Sequence, residues 1–120
     1  MYGTSPEMLG RMYVKGSLKN EGEGFVFQFK NMVESGSISG MPKLSVDGEE
    51  RSLEGATVSI GNKTRSIPEI TWSASLYVSY GSTLTLYVPG TLEPGEHTIN
   101  MQVSVPELGR LSIPITDVIE

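Results

Sequence analysis

The 120-residue chain has no cysteine and a single histidine, His97. These two scarcities remove most of the side chains that bind transition metals or carry protons near neutral pH. No disulfide can form, which fits a reducing compartment and favours the cytoplasm. Carboxylates alone are left as metal ligands, so we expect no cofactor and no metal to be held by this chain.

Long apolar runs and clusters of basic residues are also missing. No stretch approaches the ~20 apolar residues that span a bilayer, and the N-terminus lacks the basic and apolar regions of a signal peptide. Nine Lys and Arg residues are scattered among 14 Asp and Glu residues, for a net charge of −5. Because a phosphate backbone is bound by clustered positive charge, we expect neither a membrane nor a nucleic acid as partner.

What the sequence does contain is an alternation of apolar and polar residues. The longest runs are GFVFQFKNM (24–32), TLTLYVPG (83–90) and HTINMQVSV (97–105), and KLSVDG, ATVSIG, SLYVSYG and LSIPI repeat the pattern in shorter form. Successive side chains of a strand point to opposite faces of a sheet. Each run therefore predicts a strand with one buried face, such as the face that carries Phe25, Phe27 and Phe29.

Turn residues separate these runs, and no stretch has a convincing helical period. About eight strands with turns every 8–12 residues predict a single antiparallel β-sandwich, with an open β-barrel as the alternative. We assign residues 12–120 to this sandwich and residues 1–11 to an N-terminal arm, either flexible or ordered by a partner. A short helix at SPEMLGRM (5–12) is the best helical candidate, with Pro6 at its first position.

Two short motifs resemble functional loops. The acidic DGEE (47–50) lacks the alternating spacing of a calcium loop, and Asp47-Gly48 is a favoured pair for a tight hairpin turn, so we expect a hairpin. GSISG (36–40) does not match the G-x-S-x-G turn of serine hydrolases. We therefore assign no catalytic residue to this chain.

His97 follows a Pro-Gly turn and opens a predicted strand, in phase with Ile99 and Met101. This position favours a half-buried residue at the rim of the sandwich that is hydrogen-bonded to a neighbouring loop. The alternative is a proton donor or acceptor that faces the cleft of a partner.

Three aromatic residues are further interface candidates. Tyr77 and Tyr87 lie in consecutive segments, which predicts a hairpin with both side chains on one outer face. Trp72, just upstream, is either a core residue or part of an aromatic patch for a protein or a sugar ring. The candidate partner interface thus comprises Trp72, Tyr77, Tyr87 and His97.

The order of GFVFQFKNM, LSVDGEE, SIPEITWS and LTLYVPGTLEPGEHTINMQVSV over residues 13–116 resembles the β (small) subunit of bacterial C-glycoside deglycosidases. The resemblance implies a non-catalytic subunit of a hetero-oligomeric lyase that cleaves the carbon–carbon bond of 3-oxo-C-glycosides with flavonoid-type aglycones. It implies as partner a TIM-barrel α subunit that holds a divalent metal of the Mn or Mg type. The alternative function is a stand-alone carbohydrate-binding or protein-interaction sandwich.

One stretch departs from the pattern of that family. An aromatic- and arginine-containing loop precedes the VDG strand there, whereas VESGSISGMPK (33–43) has neither residue type. Whether the 34–43 loop or His97 reaches the active site of the implied partner is left open by the resemblance.

Overall fold

Two antiparallel sheets face each other across an apolar core. The structure, a computed structural model, describes residues 11–106 and 109–120. Its elements in chain order are β1 (Lys19–Glu21), β2 (Gly24–Lys30), β3 (Gly36–Ile38), β4 (Gly40–Val46), β5 (Glu49–Arg51), β6 (Thr57–Ile60), β7 (Lys63–Ser66), a 3₁₀ turn (Ile67–Glu69), β8 (Leu76–Val78), β9 (Thr83–Pro89), β10 (Gly95–Val105) and β11 (Gly109–Ile119).

The strand order confirms an all-β fold of the sandwich type. One sheet has the order β1-β2-β9-β6-β7 and the other has the order β11-β10-β4-β5. The short strands β3 and β8 form a separate two-stranded ribbon. In the described part of the chain these sheets do not close into a barrel, and no helix there is long and apolar enough to cross a bilayer.

The core consists of the faces that alternation predicts. Phe25, Phe27 and Phe29 of β2 are all buried, and neighbouring rings lie 5.8–6.0 Å apart between their centroids. The other sheet presents the inward residues of β10, Ile99 and Met101, to the same core. Burial of such apolar side chains is the main favourable contribution to the stability of the fold.

Four short strands do not show apolar alternation, and so the described chain has eleven strands where the sequence predicts about eight. These strands are β1, β3, β5 and β7, which are three or four residues long. β5 forms through the predicted Asp47-Gly48 hairpin, in which both residues have positive φ (52° and 88°) and Val46 pairs with Glu49. Turn geometry, rather than burial, therefore specifies this edge strand.

The segment before β1 runs along the outer edge of β2. The Lys30 N–H donates to the Met12 carbonyl (2.6 Å), and Tyr13 pairs with Phe29. Most of the predicted N-terminal arm (1–11) and of the helix candidate (5–12) lies outside the described residues.

Residues 34–43 were predicted to form a loop, and this prediction is wrong. The first part of this stretch forms β3, which pairs with β8, and its second part begins β4, in which Gly40 pairs with Ser104 of β10. The backbone groups of this stretch are thus largely used within the sandwich.

Candidate functional site

His97 is held at the rim of the sandwich by two hydrogen bonds. Its Nδ1 lies 2.7 Å from Asp47 Oδ2, and its Nε2 lies 2.7 Å from the carbonyl oxygen of Glu93. The same carboxylate accepts a hydrogen bond from the Thr98 N–H (2.9 Å). We call Asp47, Glu93 and His97 the clasp, because they join the β4–β5 hairpin turn to the loop before β10.

The clasp favours a charged imidazole. Both ring nitrogens face oxygen acceptors, and only the imidazolium form donates from both. The Glu93 carbonyl and the Asp47 carboxylate therefore raise the pKa of His97 above its ordinary value. The Thr98 N–H and the His97 ring lower the pKa of Asp47.

This geometry bears out the rim position expected for His97, with 13% of its side chain exposed. Neither ring nitrogen is free to take a proton from a substrate while the clasp is formed. Among the described residues no group of three His, Cys, Asp or Glu side chains could hold a metal ion. Both nitrogens of the imidazole are thus engaged in joining the hairpin turn to the loop before β10.

A second carboxylate fixes the segment before β1. The Tyr13 hydroxyl donates to Asp117 Oδ2 (2.6 Å), and the Gly16 N–H donates to the same oxygen (2.9 Å). Burial and the adjacent carboxylate raise the pKa of Tyr13. Burial alone would raise the pKa of Asp117, but the hydrogen bonds that it accepts outweigh this effect and lower it. This pair links the first and last described segments.

Tyr77 and Tyr87 do not share a hairpin, and that prediction is wrong. β8, which carries Tyr77, pairs with β3, whereas β9, which carries Tyr87, lies between β2 and β6. The Tyr87 ring packs over Gly24, where an added Cβ would lie only 2.7 Å from the ring Cζ. Tyr87 is thus half-buried, while Tyr77 is 63% exposed.

Trp72 is an outward-facing residue rather than a core residue. Its side chain is 84% exposed at the tip of a tight turn. Thr71 and Ala74 close this turn with hydrogen bonds in both directions (3.3 and 3.0 Å). The Arg65 guanidinium also donates to the Ala74 and Ser75 carbonyls (2.9 Å each).

Tyr80 is an exposed aromatic that the sequence analysis missed. It is 59% exposed in the turn between β8 and β9. Its N–H donates to Ser35 Oγ (2.8 Å), and the hydroxyl groups of Ser79 and Ser82 are 2.6 Å apart across the turn. The YGS turn signal placed it off the core, and that signal alone would have added it to the candidates.

Residues 70–82, here named the aromatic segment, thus carry three exposed aromatic side chains, Trp72, Tyr77 and Tyr80. The inward side chains of the same segment, Leu76 and Val78, are buried. Aromatic side chains of this kind supply much of the binding energy at protein interfaces.

A family model described as the N-terminal domain of hydroxymethylglutaryl-CoA reductase matches residues 8–120. The chain belongs to this family. No curated protein matches the chain.

Membership of the hydroxymethylglutaryl-CoA reductase N-terminal domain family corrects the resemblance to C-glycoside deglycosidase β subunits, which is wrong. The segments behind that resemblance are strands with apolar alternation and turns such as Asp47-Gly48, which many β-sandwiches share. The lyase and glycoside-catabolism assignments rested on that resemblance and have no support from this family. The TIM-barrel partner and its divalent metal are untested predictions that this family assignment does not support.

Proposed function

We propose that this domain is non-catalytic and binds a partner protein through the aromatic segment. The observation that carries the proposal is the 84% exposure of Trp72 on a turn that the rest of the fold holds in place. Tryptophan is strongly enriched among the residues that dominate the free energy of protein association.

The turn that presents Trp72 is preorganised. Buried residues anchor it on both sides, Ile70 before it and Leu76 after it. The two hydrogen bonds from Arg65 add a third point of attachment. Because the turn is already ordered, binding at Trp72 requires little additional loss of conformational entropy.

The family supports a choice of partner. Its description names the N-terminal domain of hydroxymethylglutaryl-CoA reductase. We infer that the partner is the catalytic region of such a reductase, in the same polypeptide or as a separate chain. The clasp supports a non-catalytic role, since it uses both nitrogens of the single imidazole. The lack of cysteine supports a reducing compartment, and we propose the cytoplasm.

Trp72→Ala tests this function. Isothermal titration calorimetry would measure the affinity of the domain for the reductase catalytic region encoded in the same genome. We expect at least a tenfold loss of affinity, because truncation of an interface hot spot costs about 2 kcal/mol or more. The melting temperature should change little, since most of the indole is in solvent.

Val118→Ala is the matched control. It also truncates an apolar side chain, 48% exposed, but on β11 and outside the aromatic segment, so it should bind like the wild type. Equal affinities of the two variants would contradict the role of Trp72. If the wild-type domain does not bind the reductase but binds an oligosaccharide through Trp72, the carbohydrate-binding alternative would be favoured instead.

A further inference from the structure

A cavity of about 390 Å³ lies between the two sheets, at the end of the sandwich away from the clasp. Both sheets contribute aliphatic side chains to its wall, and the β3–β8 ribbon closes one side. Its lining includes Val58, Leu84, Met101, Val103, Leu111 and Ile113.

We propose that this cavity binds a neutral aliphatic molecule, such as a medium-chain alcohol, with the polar head at the mouth beside Ser35 and Ser37. Native cores leave few voids larger than one water molecule. This cavity has room for about a dozen water molecules, each of which occupies about 30 Å³. Its volume also falls in the range typical of small-molecule sites, roughly 300–1,000 Å³.

The charge of the lining selects the class of ligand. Among the described residues that line the cavity, Glu34 carries a charge and no Lys, Arg or His is present. A fatty-acid carboxylate would therefore meet a like charge at the mouth and find no cation to offset its desolvation. An alcohol avoids both costs.

Polar groups near the mouth are few and partly engaged. The buried Asn31 amide already donates to the carbonyls of Glu34 (2.9 Å) and Val78 (3.2 Å). Glu34 and Ser35 are exposed, and Ser37 is half-buried, so this side of the cavity meets solvent. A hydroxyl head placed here keeps access to water while the chain is buried among the aliphatic side chains. Binding in this cavity does not depend on the proposed role of the aromatic segment.

Titration of the full chain with decanol, hexanol and decanoate tests the proposal. We expect decanol to bind and each removed methylene to weaken binding about fourfold, which is the burial free energy of one methylene expressed as an affinity. Decanoate, with the same chain length, should bind more weakly than decanol. Methyl NMR spectra should show the largest shift changes at Val103 and Ile113.

Two variants locate the site. Val103→Phe fills the cavity and should reduce decanol affinity at least tenfold, whereas the same change at exposed Val118 should leave it unchanged. Leu111→Trp, which enlarges a partly buried residue of the lining, serves as a second variant if Val103→Phe fails to fold.

Wild-type affinity in both cavity variants would overturn the proposal, as would tighter binding of decanoate than of decanol. A full chain that binds no decanol would overturn it too. In that case nuclear Overhauser contacts from the Val103 and Ile113 methyls to residues 1–10 would identify the chain itself as the occupant.

Discussion

At one end of the sandwich, His97 spans the Asp47 turn and the Glu93 carbonyl, and at Gly24 there is no space for an added methyl group. At the other end, about 390 Å³ between the sheets is lined by side chains but not filled by them. The outward face of this second end carries the aromatic segment, whose inward residues Leu76 and Val78 line the cavity. Groups available for binding thus lie where packing is incomplete, while the closed end supplies rigidity.

The largest difference between the two ends is expected when an isoleucine side chain is truncated at each of them. Ile99→Ala acts on a fully buried residue of β10 outside the cavity lining, and Ile113→Ala acts on a cavity-lining residue of β11. We expect losses of about 4 and about 2 kcal/mol in the free energy of unfolding. The smaller loss follows because a side chain that borders empty space already lacks contacts on one side.

Urea unfolding of the wild type and both isoleucine variants would measure these losses. Equal losses, or a larger loss for Ile113→Ala, would mean that the cavity end is as well packed as the clasp end.

Adding a methyl group at the two ends should give a smaller contrast. Gly24→Ala places a Cβ against the Val88 carbonyl and the Tyr87 ring, whereas a Cβ at Gly36 of β3 meets nothing within 4 Å. Neither glycine has a positive φ, so the difference is steric. We expect Gly24→Ala to cost about 2 kcal/mol and Gly36→Ala to stabilise by about 0.5 kcal/mol.

Thermal unfolding of the two glycine variants, followed by circular dichroism, would measure the contrast. Similar melting temperatures for the two variants would show that both the Val88 carbonyl and the Tyr87 ring shift to admit the Cβ at Gly24.

The sequence predicts some parts of this structure better than others. Alternation correctly predicted the buried faces of the long strands, because a period of two is a local property. It could not pair β8 with β3, since that partner lies some 40 residues away and the three residues of β3 show no apolar alternation. The sequence left Trp72 open between the core and an aromatic patch, because the turn that exposes it depends on hydrogen bonds from Arg65 on β7.

Of the candidate site, His97 was predicted best. A histidine that follows a Pro-Gly turn and is in phase with a buried strand is predicted to lie at the rim. The hydrogen bond to a neighbouring loop was expected, and the Glu93 carbonyl is its acceptor. Asp47 could not be predicted as the second acceptor, since it is 50 residues away and meets His97 only when β4 and β10 pair. The cavity has no sequence signal, because the residues that line it are ordinary core residues.

The clasp should produce the smallest effect, a pH-dependent one. The pKa of His97 is raised in the fold from 6.5, so its contribution is complete below pH 6.5 and is lost as pH rises through the folded value. The pKa of Asp47 is lowered from 3.8, so its contribution is complete above pH 3.8 and is lost as pH falls through the folded value. The stability difference between wild type and His97→Gln should therefore be largest between pH 3.8 and 6.5. Urea midpoints of both proteins at pH 5 and pH 9, roughly inside and outside that range, would measure this difference. The contributions of Tyr13 and Asp117 are the same in both proteins and cancel in the difference. Because the chain has one histidine, a single imidazole resonance reports its pKa directly, and a titration at or below 6.5 would show that the clasp is open in solution.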